Sequence, residues 1–531
     1  MSKTTPSRTL GSVEAVVIAQ LQQKLAEQTE QLTRKDRALA LAELRIRVLE
    51  ERLRLEQIAR YGKHSEKLSD LQLQLLDLEP GVSSEEVEKE SESDPLTPNT
   101  NKDKGKTKPR NQNHPGRNPL PAHLRREEQI MACTAEQCVC GQCGNETKVI
   151  GYEETEVLDV KPAEYFVTVI KREKRVCGQC EQQGVQTAAV PERIVAKSVL
   201  SDRMIIELTV NKYTMSTPLY RQLAQMERDV GVELSLSTAD DGVLRVGELL
   251  IPIASVMRRE LLGGSYIQAD ETPVGVQTHD KRGRNHQAYL WQYGSPGQGV
   301  VFDFQMGRDS GGPKEFLGQY KGLLQTDGYK AYDKVGGPGI IRACCLAHAR
   351  RKFVDAIKVN AKDIESGRVV SLMDQLFAID REARDQNKTH AQRHEMRQKR
   401  APELLRQLRE QMIAIQKTAL PKSSACRAAN YALSLWTKLT VFLEHPELEL
   451  STNQAENSMR SVAIGRKNWL HLGSKEAGPK IAAIFSVIES CRRLNIPVRQ
   501  YLGDILPGLA NRSIQSLDLL TPMAYSARAA K

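Results

Sequence analysis

The sequence predicts a multidomain α/β protein, and three patterns carry that expectation. Apolar residues recur at every seventh position near the N-terminus, two C-x-x-C knuckles follow a charged stretch, and two later apolar runs end in aspartate. At 531 residues the chain exceeds what one simple hydrophobic core organises. A formal net charge of +10 favours an anionic partner, nucleic acid first, against the plainer reading of an ordinary basic soluble protein. No run of about 18 apolar residues occurs, which argues against a membrane span. The opening segment "MSKTTPSRTLGSVEAVV" lacks the apolar core and cleavage site of a secretory signal, so a reducing cytoplasm is the expected location. Ten cysteines in so long a chain make no disulfide scaffold, and six of them fall between Cys133 and Cys180, which points to metal.

The first element follows from Ile18, Leu25, Leu32, Leu39, Ile46 and Leu53, spaced by seven, with a mixed companion set of Leu21, Gln28, Lys35, Ala42, Leu49 and Glu56. This predicts a coiled-coil oligomerisation helix over 14–76 and a homo-oligomer of at least two chains; the alternative is one amphipathic helix lying on another domain. Residues 77–113 turn acidic in "SSEEVEKESESD" and basic in "KDKGKTKPRNQN", too polar to bury a core, so a disordered charged linker is expected. Over 114–195 the knuckles Cys140/Cys143 and Cys177/Cys180 supply four thiolates at a spacing suited to structural Zn2+. The alternating residues between them read as two strands, giving a zinc ribbon; a redox pair is the weaker alternative, and exchange of a ligand with Cys138 stays open. Cys133 is left over.

Residues 196–262 read as helices, with a turn at Gly231 and a second helix capped between Ser235 and Thr238. The pattern is helix-turn-helix-like and suggests a DNA-binding region. Asp240, Asp241 and Gly242 are poor residues for facing phosphates, so helical packing without base reading is an equal alternative.

The first part of a catalytic core is expected over 263–358. An apolar strand runs into "QADETPV", and Pro273 predicts that it ends near Asp270. Two alternating runs form a hairpin, a short helix follows, and "KGLLQTDGY" repeats the opening pattern by ending in Asp327. A further strand and a helix complete the order. It matches a ribonuclease-H-like core, in which the first and fourth strands are neighbours and would bring Asp270 and Asp327 together. Converging carboxylates repel, and divalent cations make them tolerable; two unrelated turn aspartates are the bland alternative. A polar helical insertion is expected over 359–425. The second part of the core, 426–511, holds Glu456, which shares a helical face with Asn453 and Arg460 below a cap at Ser451 or Thr452. An exposed Glu–Arg pair would read the same way.

In order along the chain, "IQADETPV", "GLLQTDGYKAYD", "CLAHARRKF" and "NQAENSMRSVAIGRKNWLHLGS" resemble the signatures of the insertion-sequence-sixty-six transposases. These are bacterial DDE enzymes, and the likeness is to their large subunit, often called TnpC. It reaches outward to "ARYGKHSEKLSD", to "HPGRNPLPAHLRRE" with the knuckles, and to "YLGDILPGL". The resemblance implies an acidic triad of Asp270, Asp327 and Glu456 holding two Mg2+ (or Mn2+) ions, binding of the element's terminal inverted repeats, DNA 3′-end cleavage and strand transfer. It also implies small accessory proteins as partners. Leu346 and Gly242 stand where the family pattern has Trp, and His471 replaces an aromatic. Arg460, Arg466 and Lys467 are candidate phosphate contacts. Trp469 is read either as a base-stacking or as a core residue, and His348 as a phosphate contact or a structural hydrogen-bonding group. Two other functions fit the same residues: an idle scaffold that binds DNA ends, and a ribonuclease-H-like nuclease without strand transfer.

Overall fold

A computed structural model describes residues 11–61, 164–175, 185–278, 284–360 and 362–529, with scattered positions between 126 and 152. The linker at 77–113 and the knuckle cysteines Cys140, Cys143, Cys177 and Cys180 lie outside the described residues. Two compact units are present, Thr97–Ala189 and the remainder of the chain. In the remainder, helix α1 (Gly11–Tyr61) covers most of the expected coiled-coil segment. Leu25, Leu32, Leu39, Ile46 and Leu53 are all exposed on it. Within Thr97–Ala189, β1 (Lys174–Arg175) pairs antiparallel with β2 (Gln186–Thr187).

Three helices precede the main sheet: α2 (Asp202–Tyr213), α3 (Leu219–Val230) and α4 (Leu236–Leu262). Gly231 ends α3 at φ +67°, a left-handed conformation that glycine adopts without a side-chain clash. Ser235 caps α4 by accepting the Thr238 N–H at 3.1 Å. Helix α4 buries Ala239, Gly242, Val243, Val246, Leu250 and Ile253 in the same hydrophobic cluster as the sheet. Gly242 packs against Ile205, which an added Cβ would meet at ordinary van der Waals distance.

The strands are β3 (Tyr266–Val276), β4 (His286–Gly294) and β5 (Val300–Gln305). After helix α5 (Gly311–Leu317) come β6 (Leu323–Thr326) and β7 (Ile341–Cys344). They lie in the order β5-β4-β3-β6-β7. Strands β3, β4 and β5 are antiparallel neighbours, while β3–β6 and β6–β7 are parallel, so the two aspartate-bearing strands do stand side by side. Helices α6 (Leu346–Val359), α7 (Ile364–Asp385), α8 (His390–Thr418) and α9 (Ser424–Ser434) follow and share a second hydrophobic cluster with Tyr266 and Leu323. Helix α10 (Asn453–Trp469), β8 (His471–Leu472) and α11 (Ala477–Arg493) return to the sheet, where β8 adds to β3. The edge strand β5 is covered by α11: Ser486 and Ser490 accept the N–H groups of Phe302 and Val300, each at 2.8 Å. Those hydroxyls satisfy donors that an open sheet edge would leave to another chain.

One expectation is corrected. Strand β3 does not end at Asp270 but runs on through Pro273 to Val276, paired all the way with β4. The reason is local. On its other edge, β3 last pairs with β6 at Gln268 and first pairs with β8 at Gly275, so residues 269–274 have no strand there. The Gln277 N–H donates to Leu472 O on this side, and backbone direction alternates along a strand, so Pro273 turns its missing donor into the gap. The Pro273 carbonyl, on the same side, accepts from Arg466.

Candidate active site

The last β3–β6 pair is Gln268 with Gln325; two residues on, Asp270 stands within β3 and Asp327 just past the end of β6. Asp270 Oδ1 accepts the Glu271 N–H at 2.9 Å. Asp327 Oδ1 accepts the Tyr329 N–H at 2.8 Å. The turn between them and the next segment needs Gly328, whose φ is +93° and where a Cβ would strike Leu435. Tyr431 donates its hydroxyl to the Asp327 carbonyl, so α9 fixes the backbone of that acid. Glu456 lies in the first turn of α10. His348 Nε2 is 3.3 Å from its Oε1, and Arg351 donates to its Oε2 at 3.3 Å.

Electrostatics groups these residues in two sets. Burial first, then the charges of Glu271 and Glu456, push Asp270 up to about 7. His348 feels burial, which lowers it, but the neighbouring Cys345 thiol and the Glu456 carboxylate outweigh that and raise it to about 9. Asp270, Glu456 and His348 therefore share one neighbourhood. Glu271 faces the other way: burial raises it, Arg308 and Tyr332 oppose that by hydrogen bonding, and the Asp327 charge adds to the rise. Successive side chains on a strand point to opposite faces, and here Glu271 is confined by Arg308 and Tyr332.

A strap, residues 442–452, brings Glu456 to the sheet. Leu346 N donates to Leu450 O at 2.8 Å, and Thr452 N contacts Cys345 Sγ at 3.2 Å. From the two central strands, Gln325 donates to Glu449 O at 2.6 Å and Gln268 to Ser451 O at 3.0 Å. Arg397 holds the strap from behind, donating to the carbonyls of Phe442, His445 and Leu448 while paired with Asp380 at 2.5 Å. Glu449 is tied to Arg393 at 2.8 Å and Arg384 at 3.3 Å. Thr452 is the N-cap of α10, yet its side chain makes no capping hydrogen bond, and the strap fixes that end instead.

Among the residues read from sequence as DNA contacts, Lys467 is exposed and Arg460 half-buried. Arg466 Nη1 donates to Thr272 Oγ1 at 2.9 Å, which commits it to β3. Trp469 packs against the main hydrophobic cluster, its indole nitrogen against Gly465. Sequence reasoning missed Gln268, Gln325, Arg308 and Arg351. For Gln268 a signal existed, since it shares β3's alternation with Asp270 inside an otherwise apolar run. Arg351 likewise follows His348 by one helical turn.

The donor set is made of hard carboxylate oxygens, suited to Mg2+ or Mn2+. A cation would also relieve the crowding that raises Asp270, so the chemistry fits. Among the described residues, no three acidic, histidine or cysteine side chains already converge as a ligand set. Strand register sets Asp270 and Asp327 at matched positions, and the Glu456 charge is felt at Asp270.

Comparison with known proteins adds the following. Residues 197–480 match the family model described as "Transposase IS66 family". Residues 48–128 match "Transposase C of IS166 homeodomain", and 137–181 match "zinc-finger binding domain of transposase IS66". Three proteins of Sinorhizobium fredii (strain NBRC 101917 / NGR234) are similar over most of their length. Uncharacterized protein y4jD is 30% identical over 425 residues, which is 77% of this chain and 82% of the relative. Uncharacterized protein y4hP is 26% identical over 89% of this chain and 88% of its own, and uncharacterized protein y4qI 29% identical over 86% and 85%. Among the described residues no helix is long and apolar enough to cross a membrane.

Proposed function

The chain belongs to the Transposase IS66 family, matched over residues 197–480, and from that premise we propose that it binds the terminal inverted repeats of a bacterial insertion sequence and catalyses 3′-end cleavage and strand transfer of DNA. The observation that carries this reading is the register of β3 on β6, which sets Asp270 and Asp327 at matched positions while α10 delivers Glu456 beside Asp270. A strand order of β5-β4-β3-β6-β7 supports a ribonuclease-H-like core for the same reason.

In this mechanism Asp270, Asp327 and Glu456 would hold two divalent cations. When bound, such ions supply Lewis-acid stabilisation of the attacking and leaving oxygens of an in-line displacement. His348 orients the Glu456 carboxylate from one side and Arg351 from the other. Tyr431 and the Tyr329 N–H keep Asp327 in place. First, water attacks the phosphorus that joins the element's 3′ end to the flank, the bond from that phosphorus to the element's 3′ oxygen breaks, and the products are a 3′-hydroxyl on the element and a 5′-phosphate on the flank. That hydroxyl then attacks a target phosphate and displaces a target 3′-oxygen. In the same reading Arg460 and Lys467 serve as DNA-backbone contacts, Cys140, Cys143, Cys177 and Cys180 would hold structural Zn2+, and α1 joins at least two copies; small accessory proteins of the same element complete the list of partners.

The test uses purified full-length protein, Mg2+ and end-labelled duplexes from the flanks of its own gene, beside Asp327→Asn. Metal-dependent nicking and joining by the wild type, reduced at least about 100-fold in the variant, is the expected result. Nicking without joining would leave a nuclease instead, and DNA binding without any cutting would leave a scaffold.

A further inference from the structure

The end of α11 grips α10 from behind. Glu456 faces His348 and Arg351 on α6. Gln454 and Ser458 stand two residues to either side of it, about 200° around a helix, and so on the far side from the carboxylate. There Arg493 donates through Nη2 to Gln454 O and through Nε to Ser458 Oγ, both at 2.9 Å. Its neighbour Arg492 donates to Asn457 O at 3.1 Å and pairs with Glu489 at 2.6 Å. Ser461 donates its hydroxyl to the same buried carboxylate. Successive turns of the helix that carries Glu456 are thus tied to one end of α11.

Arg493 also reaches the sheet. Its Nη1 lies 2.7 Å from the point where a Cβ on Gly294 would stand, and Gln292 Nε2 lies 2.8 Å from the same point. The missing side chain of Gly294 is therefore the space in which the two meet. Gln292 is fully buried, and neither atom of its amide has a hydrogen-bond partner among the described residues. In the β3–β4 register it stands directly opposite Asp270. Facing residues of an antiparallel pair share one side of the sheet, with Cβ atoms about 5 Å apart. Burial pulls Arg493 down to about 10, which still leaves it charged at neutral pH. Its desolvation costs free energy that an apolar residue packing α10 on α11 would avoid. Met459 and Val462 press α10 into the main cluster, but apolar contacts have no direction, whereas a guanidinium fork fixes how the helix is rolled. We infer that Arg493 is a positioning residue, seated between β4 and α10, that sets the spacing of Glu456 from Asp270 and thereby the affinity of the site for a divalent cation. The inference rests on the reading that these acids hold cations and deepens it, because it names the residue that keeps two of them at a fixed separation.

The experiment titrates the full-length protein with Mn2+ and reads the free ion by electron paramagnetic resonance. Asp270→Asn defines which sites depend on the acidic centre. Arg493→Met keeps the apolar stem and removes the grip, and Gly294→Ala keeps the charge but drives a Cβ into the socket. Each should weaken Asp270-dependent Mn2+ binding about 10-fold or more, the loss typical when a group that orients metal ligands is removed. Arg493→Lys, which retains the charge without the fork, should recover part of that loss. Melting curves with and without Mn2+ separate a merely structural role, which lowers the melting temperature without the ion and leaves the affinity of the folded protein unchanged. Wild-type affinity in Gly294→Ala and in folded Arg493→Met overturns the inference; if Arg493→Met does not fold, Gly294→Ala decides alone. Absence of any Asp270-dependent Mn2+ binding by the wild type overturns it as well. A wild type that binds Mn2+ through Asp270 yet neither nicks nor joins DNA removes the proposed DNA chemistry and leaves the positioning role standing.

Discussion

Asp270 sits in surroundings that disfavour its charged form, with burial, Glu271 and Glu456 all acting in one direction. Because its folded value, about 7, lies above the ordinary 3.8, the group favours the native state most when protonated. That contribution is fully present below about pH 4 and is lost as pH rises through about 7. Asp270→Asn should therefore stabilise the metal-free protein at pH 8 by up to about 4 kcal/mol, with the gain shrinking toward zero near pH 4. Thermal melts of both proteins across that range in a chelator check the sign. Added Mg2+ should raise the melting temperature of the wild type and not that of the variant. A wild type that is equally stable with and without the cation, and indifferent to the substitution, would show that the carboxylates do not crowd.

The strap is the element on which the site depends, and its anchor is remote from the chemistry. Arg397 and Asp380 are 1% and 3% exposed, so removing one partner leaves a buried charge alone. Arg397→Ala should cost about 3–5 kcal/mol, read from denaturant unfolding. At temperatures where the variant stays folded it should also lower turnover, because the carbonyls it gathers lead directly to Glu456; unaltered turnover in the folded variant would separate the strap from catalysis. Little of this was legible in the sequence. The acids were visible because aspartate at the end of an apolar strand is a local pattern, and so was the alternation of β4 and β5. Gln268 and Gln325 reach strap carbonyls 183 and 124 residues away and Arg397 reaches carbonyls 45 to 51 residues on, and nothing in a window of sequence links them. Pro273 misled for a related reason: its rule assumes a strand on both sides, and β3 has one on only one side at that level.

At the scale of the whole molecule, the exposed row Leu25, Leu32, Leu39, Ile46 and Leu53 on α1 was readable in full from its spacing of seven. Burying each such side chain in a partner stabilises association by about 1.5–3 kcal/mol. Leu32→Glu together with Leu39→Glu should reduce the mass found by light scattering to that of a single chain; an unchanged mass would assign α1 to some other contact.

The gap beside β3 has a consequence for how this protein avoids its neighbours. An unpaired strand edge invites any extended peptide to hydrogen-bond along it, and a sheet edge next to a catalytic centre would be blocked by such a guest. Pro273 offers no donor to an incoming strand, and Arg466 already occupies its carbonyl. That stretch of edge therefore offers an incoming strand neither a donor nor a free acceptor at Pro273, so the sheet beside the acids is guarded against being lengthened by a stray peptide.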